Sequence, residues 1–330
     1  MTRKPFDQMP FSDLPEHPRR AHPYFSLPAR EVTVNSANFG ATEIHVRELG
    51  EGPPLLLVHG FMTSGYSFRY VVEELARDFH VFIIDLPGCG RSAVPERGSF
   101  SAAELATFIG ESVDALGIEG CLAVGNSMGG YLCMRLALER PAVFSRLVNI
   151  HSPARAEARY YAVGALSALP GVARAVAWAA RFDPPRWAHH NVHYWDESLK
   201  SLEEAREYGA PLSTVPGSRA FVRYLRETMG ASGFVSMEQT LLRRRERSLD
   251  FPVPMLLLYA ENDPMVSPKN GSYLADLVPS AELRWLEEGS HFAHVDTPGP
   301  VVEVLRAFLR PPVADTRAEA AAIYLMTTKV

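Results

Sequence analysis

The sequence predicts an α/β fold: a mostly parallel sheet with helices on both faces and a helical segment inserted late in the chain. Three observations carry this. Short apolar runs that end in glycine or turn residues recur along the chain, as fully buried parallel strands do. Stretches with one apolar helical face alternate with them. The alternation breaks once, from about Ser152 to Asp250, where helical patterns occur without a convincing buried strand.

Each element follows from local pattern. Residues 1–29 hold six prolines and no sustained period, so they read as an irregular arm. Strand-like alternation begins at Val32 and Val34 and returns at Ile44 and Val46. Pro54 to Gly60 is a buried strand ending in Gly, and a helix is expected from Phe68 to Arg77. Val81 to Asp85 is the next buried run. Ser101-Ala-Ala-Glu104 is a capping-box pattern, after which Leu105, Phe108, Ile109, Val113 and Leu116 share one helical face. Cys121 to Val124 is a strand, and a helix from Met128 to Arg140 is stopped by Pro141. Strands follow at 147–150, 253–259 and 283–286, then a helix from about Val301 to Leu309. The implied organisation is a core of residues 30–152 and 251–311, a helical cap of 153–250 and a tail of 312–330.

Composition limits the function classes. The 330 residues are 47% hydrophobic and 22% charged, which excludes a disordered chain and leaves room for a sizeable core. A net charge of −5 gives no electrostatic footprint for nucleic acid. The three cysteines, Cys89, Cys121 and Cys133, fit neither a disulfide framework nor a zinc spacing, and read as reduced, buried thiols. No apolar h-region and no spanning run is found, so a cytoplasmic protein without a membrane span is expected. The stretch Tyr161 to Ala180, interrupted by Pro170 and Arg174, reads as a buried or interfacial amphipathic helix.

The sharpest local feature is Gly125-Asn126-Ser127-Met128-Gly129, between a buried strand and a helix. A turn this tight forces a strained backbone at the serine, and small residues on either side let strand and helix approach. The hydroxyl is left above the sheet, and the helix N-terminus offers N–H groups to an oxyanion. A serine nucleophile needs a base, and the base needs an orienting acid, here in the chain order Ser, acid, His. The strand ending near Tyr259 runs into Glu261-Asn262-Asp263. Asp263 is the favoured acid and Glu261 its competitor. His291, past the next strand, is the expected base, with His294 as the alternative. The Phe61 backbone N–H, after the strand ending at His59-Gly60, and the Met128 N–H are assigned to the oxyanion hole, with His59 itself structural.

These pieces together resemble the α/β-hydrolase superfamily: HGF at 59–61, DLPGCGRS at 85–92, GNSMGG at 125–130, END at 261–263 and GSHFAHVDTP at 289–298. The resemblance implies an α/β-hydrolase fold with the cap inserted after the strand at 147–150. The cap position and DLPGCGRS resemble the haloalkane dehalogenase and epoxide hydrolase branch. Those enzymes use an aspartate nucleophile where this chain has Ser127, and dehalogenases usually carry a tryptophan where it has Met128. GNSMGG also resembles hydrolases of meta-cleavage products, but HGFMTS departs from their Gly-rich oxyanion loop.

The expected activity is serine hydrolysis of a small-molecule ester or lactone with an apolar acyl or aromatic part, without cofactor or metal. The alternatives are carbon–carbon bond hydrolysis of an activated ketone and a non-catalytic ligand receptor with a capped pocket. Met62, Trp178, Trp187 and Phe292 are candidate pocket residues, although packing is the expected role for most cap aromatics, among them Tyr160, Tyr161, Phe182, Tyr194 and Trp195. Three other patterns are set aside. Gly88-Cys89-Gly90 lacks the helix a dinucleotide site needs. His189, His190 and His193 read as polar cap surface, and Arg243 to Arg247 as a solvated helix face. Oligomeric state is not readable from these patterns.

Overall fold

The computed structural model describes residues 5–310 except 159–160, 163–164 and 167–168. The tail at 312–330 and Tyr160 lie outside the described residues. Eight strands form one sheet: β1 (Ala29–Ser36), β2 (Gly40–Leu49), β3 (Pro54–Val58), β4 (His80–Ile84), β5 (Cys121–Asn126), β6 (Phe144–Ile150), β7 (Met255–Ala260) and β8 (Glu282–Leu286). Their order is β1-β2-β4-β3-β5-β6-β7-β8. The β1–β2 and β2–β4 pairs are antiparallel, and all others are parallel. The continuous apolar runs become strands buried along their whole length, as in β5 and β7. The edge strand β8 is mostly exposed.

Strand periodicity divides the core in two. Leu56 and Val58 face one side of the sheet, with Phe108, Ile109 and Leu132. Leu55 and Leu57 face the other, with Val71 and Leu305. Ser101 caps α2 (Ala102–Leu116) by accepting the Glu104 N–H at 3.3 Å, and Gly117 ends that helix with φ of 69°. Helix α3 (Met128–Glu139) stops before Pro141. The helix expected over 68–77 is shorter than its pattern: a 3-10 turn over Gly65–Phe68 leads to the single turn α1 (Val72–Leu75). Tyr66, Phe68 and Arg69 are all buried there, so tertiary packing rather than one apolar face shapes the segment.

Between β6 and β7 the described residues hold helices and no strand: α4 (Val172–Phe182), α5 (Pro184–Asn191), α6 (Leu202–Gly209), α7 (Val215–Arg223) and α8 (Ala231–Glu246). Helix α4 takes up only the end of the amphipathic stretch. It buries Ala177 and Ala180 and turns Trp178 and Phe182 to solvent. Arginines 243 and 245 are exposed in the last turn of α8, where cations suit the negative end of the helix dipole. After β7 come α9 (Lys269–Leu277), α10 (Ala293–Asp296) and α11 (Pro298–Leu309).

The N-terminal arm is irregular but tied down. Pro15 and Glu16 accept the N–H groups of Leu202 and Glu203 at 2.8 and 3.0 Å. His189 is buried rather than on a polar surface, with Nε2 2.9 Å from the Met9 carbonyl. One buried ion pair joins the inserted helices to the core. Arg69 Nη2 meets Glu204 Oε2 of α6 at 2.5 Å, and Tyr194 donates to the same oxygen at 2.7 Å. The guanidinium also lies 4.4 Å over the rings of both Tyr66 and Tyr70. Removing one partner strands the other charge in the interior. Arg69→Ala is therefore expected to cost about 3–5 kcal/mol in chemical denaturation, and the double change Arg69→Met with Glu204→Leu less than the single one.

Candidate active site

The C-terminal ends of β3, β5, β6, β7 and β8 deliver the residues of interest to one edge of the sheet. Ser127 stands between β5 and α3 with φ of 53° and ψ of −118°, a conformation few side-chain-bearing residues adopt. Its glycines make the turn possible. A Cβ on Gly129 would lie 2.2 Å from the Val58 carbonyl oxygen, and one on Gly130 would lie 2.3 Å from Ser152 Oγ. Hydrogen bonds brace the turn from β6: Ser127 N–H donates to Ile150 at 2.7 Å, and Ser152 Oγ donates to the Ser127 carbonyl at 2.6 Å.

Asp263 and His291 meet. His291 Nδ1 lies 2.8 Å from Asp263 Oδ2, and the aspartate side chain is fully buried. The other oxygen, Oδ1, accepts the backbone N–H groups of Met265 and Val266 at 2.7 and 2.8 Å. Burial works against the charge of Asp263. The charge of His291 and the contacts of His151 and His291 outweigh it and hold the carboxyl well below the usual carboxylate range. Glu261, the competing acid, is exposed. His294 turns into the core, its ring centroid 4.9 Å from that of Phe68, and burial above all lowers its pKa to about 3.

Asn126 links the His291 segment to the serine turn by donating to the His291 carbonyl at 2.9 Å and to the Ile150 carbonyl at 3.3 Å. The loop after β3 packs on the same turn: a Cβ on Gly60 would lie 3.1 Å from Ser127 Cβ. Phe61 follows it, half-buried, while Met128 is fully buried at the start of α3. His59 is committed to structure. Its Nδ1 lies 2.8 Å from the Gly60 carbonyl and its Nε2 accepts the Leu86 N–H at 3.0 Å.

A narrow apolar cleft adjoins Phe61, lined by Met62, Leu212, Phe221 and Tyr224 among others. The Phe61 and Phe221 rings stack 5.3 Å apart. Trp187 packs edge-on against Phe221 at 6.1 Å. Trp178 does not belong to this cleft: it is 67% exposed on the outer face of α4, because the small residues Ala177 and Ala180 occupy the inner face. Phe292 is buried in the core, edge-on to His291 and Tyr194.

Sequence reasoning passed over three residues here. Asn126 was hidden as the variable position of its motif. His151, directly after β6, has a ligand atom within 4.8 Å of those of Asp263 and His291. A strand-end histidine was the available clue. Asp296 accepts the Ser290 hydroxyl at 2.6 Å and the Trp195 N–H at 2.9 Å, tying the His291 segment to the inserted residues. As for a metal, the cluster of His151, Asp263 and His291 has the donor types, but its hydrogen bonds leave the ring proton on His151 Nδ1, the atom that faces the carboxylate. His151 Nε2 already accepts the Ala260 N–H, and the carboxylate already serves His291 and two backbone amides. The loop at Gly88–Gly90 wraps the Asp85 carboxylate, which accepts the Arg91 N–H at 3.0 Å, rather than cradling a phosphate.

Comparison with known proteins agrees with this architecture. Residues 53–298 match the family described as alpha/beta hydrolase fold. RutD of Azorhizobium caulinodans, named for carbamate hydrolysis, is 28% identical over 277 residues, covering 82% of this chain and 97% of the relative. The pimeloyl-[acyl-carrier protein] methyl ester esterase of Aeromonas salmonicida is 25% identical over 274 residues, covering 81% of this chain and 99% of the relative. A thermophilic esterase from Thermogutta terrifontis superposes with a TM-score of 0.66 at 21% identity, over 86% of this chain and 98% of that one, and so shares the fold.

Asp263 and Asp296, both buried, respond to pH in opposite directions. Burial pushes the Asp296 carboxyl up to about 7, against the lowering effect of its hydrogen bonds. Between about pH 4 and 7 the folded chain keeps a proton on Asp296 that the unfolded chain has lost, so this group makes stability fall as pH rises. Asp263, held low, stabilises above about pH 4 and loses that contribution as pH falls. Denaturation of Asp296→Asn at pH 5 and pH 8 is expected to show a gain over wild type that is larger at pH 8.

Proposed function

The chain belongs to the alpha/beta hydrolase fold family, and from that premise we propose that it is a serine hydrolase of carboxylic esters or lactones with an apolar acyl or aromatic part. Ser127 Oγ attacks the carbonyl carbon, and its proton passes to His291 Nε2. The tetrahedral oxyanion takes hydrogen bonds from the Phe61 and Met128 N–H groups, each contributing on the order of 3 kcal/mol to the transition state. Collapse transfers the proton from His291 to the leaving alkoxide and leaves an acyl-Ser127 ester. Water, deprotonated by His291, then releases the acid and regenerates the serine. Asp263 stays ionised, keeps the proton of His291 on Nδ1 and offsets the imidazolium charge.

One observation supports this reading above the rest: the 2.8 Å contact of His291 Nδ1 with a fully buried carboxylate, on a segment that Asn126 ties to the strained serine turn. The Nδ1 contact leaves Nε2 as the nitrogen that takes the serine proton. The uncharged cleft of Phe61, Met62, Leu212 and Phe221 supports an apolar substrate group, which burial there favours by about 25 cal/mol per Å². Residues 153–250 act as a cap over this cleft, with Leu212, Phe221 and Tyr224 among the residues it adds to the lining.

Hydrolysis of short and medium acyl p-nitrophenyl esters and of lactones tests the proposal. Ser127→Ala is expected to lose about ten-thousandfold or more in kcat while its thermal transition stays near wild type. Equal turnover by the two proteins would refute the assignment. A fluorophosphonate probe is expected to label wild type at Ser127 and to leave Ser127→Ala unlabelled.

A further inference from the structure

We infer that His151 is a positioning residue for the acid–base pair: a second imidazole that shares the Asp263 carboxylate with His291 and sets how strongly that carboxylate holds the base. The inference rests on the proposed roles of Asp263 and His291. Its starting point is a conformation. His151 follows the last residue of β6 with φ of 53°, a left-handed position where a ring-bearing side chain is uncommon. Its side chain is fully buried. A histidine held this way in the interior asks for a reason, and its two ring nitrogens supply one.

Nε2 accepts the Ala260 backbone N–H at 2.6 Å. A nitrogen that accepts an N–H bond carries no proton, so the proton of a neutral ring sits on Nδ1. Burial opposes a second proton and lowers the pKa of the ring, outweighing the pull of Asp263. Nδ1 lies against the same carboxylate as the base. Nδ1 is 2.9 Å from Asp263 Oδ2, the oxygen that His291 Nδ1 contacts at 2.8 Å. The His151 contact is short but bent, outside good hydrogen-bond geometry, so it acts mainly as a dipole facing the carboxylate. The two rings approach Oδ2 with their centroids 5.9 Å apart.

The consequence is electrostatic. A partial positive charge fixed against Oδ2 draws on the charge that would otherwise face the His291 imidazolium. It favours the ionised carboxylate and weakens its hold on the proton of the base. The other charged and titratable neighbours are few. Tyr259 of β7 donates its hydroxyl to the Ser152 carbonyl at 2.6 Å, and its ring lies 5.1 Å from that of His151. His294 lies on the base's own segment, with Arg69 of the core as the charge it senses most. Of these, His151 alone contacts Asp263 Oδ2 together with the base.

The test compares His151→Ala and His151→Asn in the full chain. Asn tolerates the left-handed backbone and can present an amide N–H near the position of Nδ1. The readouts are the NMR titration of the His291 ring and the pH profile of kcat/KM, normalised to sites that react with fluorophosphonate. For His151→Ala the titration and the acidic limb of the profile are expected to move up by about one pH unit, with KM unchanged. For His151→Asn most of that shift is expected to be restored. An unmoved titration in both variants would overturn the inference and leave His151 as packing alone. A shift in His291 without Ser127-dependent turnover would uphold the inference about His151 and reject the esterase reading. If His151→Ala fails to fold, the titration of His151→Asn against His151→Gln decides: equal shifts from wild type in both would overturn the inference.

Discussion

The site depends on one backbone constraint. Ser127 has to hold φ of 53° at the end of β5, and it can do so only while strand, helix and neighbouring loops close around it. Gly125, Gly129 and Gly130 permit that closure, since a Cβ at any of them would fall within 2.4 Å of a neighbouring atom. The hydrogen bonds from Ser127 N–H to Ile150 and from Ser152 to Ser127 keep the strained turn from relaxing. The helix that starts at Met128 follows directly, so the same turn that raises the hydroxyl also aims the amides of the first helical turn.

The second layer is charge in a dry interior. Asp263 is ionised because two backbone amides and an imidazole donate to it and a second imidazole faces it, and it holds the His291 ring for the same reason. At Asp296 the donors of Ser290 and Trp195 do not offset burial, and its carboxyl is pushed up instead. Two aspartates with comparable burial thus differ in charge state through the donors around them. The same logic binds the inserted helices, where the buried Arg69–Glu204 pair ties α6 to the turn before α1.

The fold was legible because its cues are local. A fully buried strand reads as an apolar run, and a half-buried helix reads as one face. Leu55 to Val58 and Leu105 to Val113 show both cues without reference to the rest of the chain. The helix expected over 68–77 misled for the complementary reason: Arg69 is charged yet fully buried, and no window of sequence shows the Glu204 and Tyr rings that receive it. Trp178 misled in the opposite sense. An aromatic in an amphipathic stretch looked like a pocket wall, but the helix packs through its alanines and leaves the tryptophan outside.

By itself, the sequence determined the alternation of strands and helices and the chain order of Gly60, Ser127, Asp263 and His291, since those rest on residue type and spacing. Tertiary structure alone decided that Asp263 rather than Glu261 faces His291, that His294 lies in the core, and that His151 and Asn126 join the group. The physical reason is the sheet order. With β5, β6, β7 and β8 side by side and parallel, the residues after their ends share one edge, however far apart they are in the chain. Which of them touch is set by a few ångströms of loop conformation, which no local pattern encodes.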